Sequence, residues 1–136
     1  RCFDWLKTFL KKEVQPRLGP KMDWENKVHP NAGLHLVGTG GTASILARME
    51  LNTDDYDRDR IEATRLSLER VHWHVQHLWS MPIAERQQIV GLPKKRADVV
   101  LTGSAIYEAV MEQFGFAELR VSTRGLRYAA VMDEPG

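Results

Sequence analysis

Cysteine is almost missing from this chain. Cys2 stands alone, so no internal disulfide can form, and an intracellular, cytoplasmic setting is the expectation. No apolar run approaches the roughly 20 residues that a membrane-spanning helix needs. Neither sign of charge is in excess: 19 Lys and Arg stand against 18 Asp and Glu, a net charge of +1. The strong basic field of a nucleic-acid or membrane-surface domain is therefore lacking. The N-terminal stretch RCFDWLKTFL is amphipathic, includes Asp4 and has no small-residue cleavage site, which excludes a signal peptide reading. It opens at Arg1 inside a helical pattern, as an excised piece of a longer protein does. Repeats and low-complexity tracts are absent too. What remains is ordinary for a globular protein: 136 residues, 43% apolar and 27% charged, enough for one compact domain with a real core.

Hydrophobic spacing sketches the elements. Phe3, Leu6, Leu10 and Val14 recur at helical intervals, and Pro16, Gly19 and Pro20 then break the pattern. Residues 19–33 read as a connecting loop pinned by Trp24 and Val28. Leu34–Val37 reads as a buried strand between Gly33 and Gly38, and Ala43–Leu51 as a helix with Ile45, Leu46 and Met49 on one side. Asn52–Arg60 is charged and turn-rich. Ile61–Leu66 is ambiguous, with an extended form favoured. Ser67 suits the N-cap of a helix reaching Trp79, and Pro82 the start of a short helix, Ile83–Val90, closed by Gly91. Over Lys94–Phe114 period alone leaves strand and helix open. Glu118–Ser122 alternates as a half-buried strand does, and a turn at Gly125 leads into a last short helix.

One motif carries chemistry. Gly38-Thr39-Gly40-Gly41-Thr42 joins the expected strand to the expected helix. Glycines let a ligand approach the main chain closely, and the free amides and dipole at a helix start favour an anion. Thr39 and Thr42 add hydroxyl donors. Phosphate suits such a turn, and a tight packing connection accounts for the same residues equally well. No Gly-Lys-Ser/Thr follows and the dinucleotide spacing is absent, so a kinase or a dehydrogenase is disfavoured.

Other residues weigh less. His72 and His74 lie about 200° apart on a helix and cannot easily share an ion with His77, so no metal set is expected from the histidines. Asp54, Asp55, Asp57 and Asp59 lack the glycine and terminal Glu of a calcium loop. Lys94, Lys95 and Arg96 form a basic cluster that reads first as a surface patch and second as a contact for an anionic substrate. The tryptophans at 5, 24, 73 and 79 read as core or interface residues. Ser44 and Ser104 have no base or orienting acid near them in sequence.

Four separated blocks resemble the exopolyphosphatase / guanosine pentaphosphate phosphohydrolase (Ppx/GppA) phosphatase family. They are VGTGGTASILA at 37–47, the Tyr56-Asp57 pair, SMPIAERQQIVGLPKKRADVVLTGSAI at 80–106, and ELRVSTRGLRYA at 118–129. The glycine turn is shared across the actin/hexokinase-like ATPases, whereas its combination with the two later blocks is far more specific. The resemblance implies an α/β fold: a partial actin-like, ribonuclease-H-like lobe, helix-rich with a small incomplete sheet. Residues 1–136 would form a single domain, the C-terminal portion of lobe II, with lobe I absent. It also implies that Lys94–Phe114 becomes a long buried helix, whose Ala97, Gly103, Ser104 and Ala105 permit close packing. Residues 38–42 would then face a cleft and hold phosphate or nucleotide.

The resemblance further implies a parent that hydrolyses terminal phosphoanhydrides of polyphosphate or guanosine penta/tetraphosphate with Mg²⁺. The family's two earlier glycine loops and its catalytic Glu are not found here, so this stretch alone is expected to be inactive, with no catalytic residue and no bound Mg²⁺ of its own. The chain departs from the family pattern at Ile61-Glu62-Ala63, where a Val-His-Gly-like triplet is usual. It departs again at Ser122-Thr123-Arg124, where Ser-Asp-Arg is usual, and at Tyr128-Ala129, where Glu-Gly is usual. Those changes leave a second reading open, a non-catalytic phosphate- or nucleotide-sensing or interaction module. An open sheet edge at Leu34–Val37 suggests a homodimer; nucleic acid and membrane partners are not expected.

Overall fold

The computed structural model describes residues 2–28 and 34–124. A continuous helical run opens the chain: α1 (Cys2–Phe9), a π-helical turn (Leu10–Val14) and α2 (Gln15–Val28). The loop expected over 19–33 is thus corrected to helix as far as Val28; residues 29–33 lie outside the described residues. Proline and glycine signals are local, and the wider π turn loosens the hydrogen-bond ladder just before Pro16, where a pyrrolidine ring needs room. Pro20 stays inside α2. α2 buries none of its residues, and Trp24 and Val28, read as pins, are exposed.

β1 (Leu36–Thr39) follows, reaching two residues past the expected end and taking in Gly38. Then come α3 (Gly41–Leu51), α4 (Arg58–Ala63), β2 (Arg65–Ser67), α5 (Leu68–Trp79) and the single turn α6 (Ile83–Arg86). A 3-10 turn at Lys94–Arg96 leads into α7 (Val100–Phe114), and β3 (Glu118–Ser122) ends the described chain. The ambiguous 61–66 stretch is therefore split. Asp57 accepts the Arg60 amide at 3.3 Å and starts α4, and only Arg65–Ser67 is extended. Ser67 caps α5 as its side chain suggests, accepting the Arg70 amide at 3.1 Å. The short helix after Pro82 stops at Arg86, well before Val90. The turn and helix expected from Gly125 onward lie outside the described residues.

β3 is the central strand of a three-stranded sheet of order β1-β3-β2, parallel to β1 and antiparallel to β2. The register pairs Thr39 with Ser122, so the glycine turn leaves the sheet beside the end of β3. Leu119 and Val121 alternate inward from β3 and meet Leu46 of α3, Val71, Val75 and Leu78 of α5, and Val100 and Met111 of α7 in one buried cluster. The Lys94–Phe114 stretch is helix from Val100, not strand, because Val100, Ser104 and Met111 reach this core at helical intervals. All four tryptophans are exposed, so none belongs to the core. Trp5 stacks on Phe9, and Trp73 on His77.

Candidate phosphate-binding site

The turn is built by one backbone choice. Gly40 sits at φ 89° and ψ −170°, a region that only glycine occupies comfortably, and from there α3 begins at Gly41. The first amides of α3 have no carbonyl to meet within the helix. They lie at the surface: Gly40 and Gly41 are exposed, and a Cβ placed on Gly40 would meet nothing within 4 Å. The turn is therefore open on the Gly40 side, next to the start of α3, where the helix dipole favours an anion.

The five residues 38–42 divide in two. Gly38 is buried, and a Cβ there would come within 3.0 Å of Tyr107 and 3.1 Å of Ala43; its smallness lets α7 close on the strand. Thr39, Gly40 and Gly41 are exposed and Thr42 is half-buried. Tyr107 fixes the strand side by donating its hydroxyl to the Thr39 carbonyl at 3.2 Å, and burial pushes its phenol pKa up. Gly103 fixes the helix side. A Cβ on Gly103 would fall 2.5 Å from the Thr42 Oγ1, so α7 packs against the turn at glycine range. The small residues of α7 do what close helix packing requires.

Arg96 completes the arrangement. Its guanidinium carbon and Nη2 lie 3.9 Å from where a Gly41 Cβ would be, which sets a permanent cation beside the free amides. Of the basic cluster, whose second reading is a contact for an anionic substrate, Arg96 is the residue found beside Gly41. Asp54 and Asp57 serve the framework: Asp54 accepts the Gly91 amide at 2.8 Å and Asp57 caps α4. Ser44 and Ser104 are both buried.

The match to the Ppx/GppA phosphatase family covers residues 4–134. The chain belongs to the Ppx/GppA phosphatase family. Among solved structures it is similar to the Aquifex aeolicus Ppx-GppA enzyme, with 25% identity and a TM-score of 0.70 over 89% of this chain and 42% of that one. A type II variant of the Aquifex aeolicus Ppx/GppA phosphatase gives 23% identity and a TM-score of 0.71, over 98% and 47% of the two chains. An exopolyphosphatase from Cytophaga hutchinsonii gives 22% and 0.65, over 96% and 40%. The chain thus spans less than half the length of each of these relatives. No curated protein matches it. Its helix-rich body with a small mixed sheet corresponds to part of a lobe of the actin-like fold in these proteins. Among the described residues no helix is long and apolar enough to cross a membrane.

Two of the departures from the Ppx/GppA pattern prove to be one feature. Glu62, where the family usually has His, accepts hydrogen bonds from the Thr123 amide at 3.2 Å and hydroxyl at 2.6 Å, where the family usually has Asp. Arg124 lies 3.9 Å away from the same carboxylate. The hydrogen bond from the Thr123 side chain leads in holding the Glu62 carboxyl below its ordinary range, with burial acting against it. The pair ties α4 to the end of β3.

Proposed function

We propose that this chain is the C-terminal portion of lobe II of a phosphatase that removes terminal phosphates from inorganic polyphosphate or guanosine penta/tetraphosphate. Residues 39–42 and Arg96 form its part of the phosphate-binding wall, while Gly38, expected to share that role, is buried and serves packing instead. The observation that carries this reading is the open front of Gly40 and Gly41, with unpaired helix-start amides behind and the Arg96 guanidinium beside it, in a chain of the Ppx/GppA family. Terminal phosphates carry charge that amides and a guanidinium can hold without any proton transfer. The carboxylates that would place Mg²⁺ and orient water belong, on this reading, to the preceding part of the protein, and Mg²⁺ would neutralise the charge developing on the phosphate. The edge of β1 would be covered by the lobe's remaining strands, and only in the isolated piece by a second copy.

The non-catalytic sensing reading draws on the altered ending at Thr123, Tyr128 and Ala129. Thr123 is accounted for by its hydrogen bonds to Glu62, whereas Tyr128 and Ala129 lie outside the described residues. The test is phosphate release from polyphosphate and from guanosine pentaphosphate by the full-length protein with Mg²⁺. Release from either substrate, lowered about 10–100-fold by Arg96→Ala as loss of one charge-assisted hydrogen bond would do, is expected. Tight nucleotide binding without turnover would replace the hydrolase reading with the sensor.

A further inference from the structure

α5 and α7 pack side by side, and their seam holds three potential metal ligands that are far apart in sequence. His72 Nδ1 lies 3.3 Å from Glu108 Oε1, and Glu112 follows one helical turn after Glu108. One ligand atom from each of the three lies within 4.8 Å of the others. The expectation of no metal set considered the histidines against one another, and His72 and His74 do point apart. The structure instead pairs His72 with carboxylates of another helix.

A second observation singles out this cluster. Glu108 is 2% exposed, and its Oε2 has no hydrogen-bond partner. A buried carboxylate oxygen left unpaired is costly, and few sites keep one without using it. Its other oxygen has only the long contact to His72, and Glu112 adds a like charge on the same helix face. Desolvation pushes the Glu108 carboxyl pKa up, with His72 only partly opposing it. Lys7 of α1 ion-pairs with Glu112, and its charge also favours the ionised form of Glu108 to a small extent.

The geometry points to a divalent transition-metal site, zinc in the first place, formed by His72, Glu108 and Glu112. One imidazole nitrogen and two carboxylate oxygens are a usual zinc donor set with a fourth position left for water. The nitrogen ligand disfavours magnesium and calcium, which take oxygen donors. Tetrahedral zinc needs its ligand atoms at about 2.0–2.2 Å, hence roughly 3.3 Å from each other. His72 and Glu112 are exposed and can turn inward by the small distance required, while Glu108 stays fixed by burial. Binding would give the orphan oxygen a partner and join α5 to α7, with Lys7 giving up its hold on Glu112.

The test is titration of the 136-residue chain with zinc alone against a chromogenic chelator. One zinc per chain is expected. His72→Ala and Glu108→Gln should each weaken binding at least 10-fold. His77→Ala, whose ring stacks on Trp73 instead, should leave it unchanged, and Lys7→Met should tighten it several-fold. His72 is exposed and Gln is isosteric with Glu, so both loss variants should fold; circular dichroism checks this. Absence of binding at 100-fold excess zinc in both the unaltered chain and Lys7→Met overturns the proposal. Binding that ignores His72→Ala and Glu108→Gln overturns it equally.

Discussion

The two halves of α7 serve regions of opposite character. Its first half supports the proposed phosphate wall: Gly103 presses on Thr42, Tyr107 holds the Thr39 carbonyl, and Arg96 stands just before the helix. Its second half carries Glu108 and Glu112 against His72, with Lys7 paired to Glu112. The first region offers backbone amides that cannot titrate, so the anion preference proposed for it would follow from the fold. The second is made from side chains whose charge depends on what lies beside them. Glu50 shows that dependence from the far side of α5. There burial also raises the carboxyl pKa, but hydrogen bonds from Arg70 at 2.9 Å and His74 at 2.6 Å outweigh it and the net shift is downward. At Glu108 desolvation outweighs the pull of His72 and Lys7, and the shift is upward.

Substitutions can break or sharpen this contrast. The largest effect is expected from Gly103→Val, which drives a branched side chain into Thr42. Overpacking of this kind costs about 3 kcal/mol, and both denaturant stability and phosphate affinity should fall while zinc affinity holds. Equal loss of zinc binding would mean that α7 does not separate the two regions.

Glu50→Gln comes next, with a loss of about 2 kcal/mol at pH 7, as removal of hydrogen bonds between charged groups implies. Because the Glu50 pKa is lowered on folding, its contribution is present above the unfolded value near 4.5 and fades as pH falls below it. His74 acts in the same direction. Burial lowers its pKa below 6.5, with Glu50 only partly offsetting this, so protonation on acidification opposes the fold. Urea melts at pH 7 and pH 4 should show the Glu50→Gln deficit shrinking.

Glu108→Gln should act with the opposite sign and the smallest size, a gain of about 1 kcal/mol in metal-free protein at pH 7. A carboxyl whose pKa is raised on folding costs stability above that raised value. The cost disappears as pH drops past 4.5, so the gain should vanish in acid. A loss at pH 7 would show that the ionised carboxylate already has a partner.

The first region was legible in the sequence because it is contiguous: strand, glycine turn and helix follow one another within a few residues. The N-cap at Ser67 and the alternation of Leu119 and Val121 were legible for the same reason. Arg96 was legible only as one of a basic cluster, since the packing of the chain before α7 against the start of α3 is what brings it to Gly41. The His72 cluster was hidden further, because it needs two helices in register and a buried oxygen that no spacing rule reports. α2 was misread for the converse reason. Pro16, Gly19 and Pro20 are strong local breakers, yet the π turn ahead of them absorbs the misfit. The match of Glu62 to Thr123 likewise joins residues that look like separate departures until α4 and β3 are seen in contact.

The central claim is that the amides of residues 40–42 and the Arg96 guanidinium receive phosphate. Nitrogen-15 NMR of the chain during titration with tripolyphosphate tests it directly. The Gly40, Gly41 and Thr42 amides should shift first and saturably, with affinity reduced about 10-fold or more by Arg96→Ala. Shifts confined to other surfaces, or none at these three amides at saturating tripolyphosphate, would contradict it.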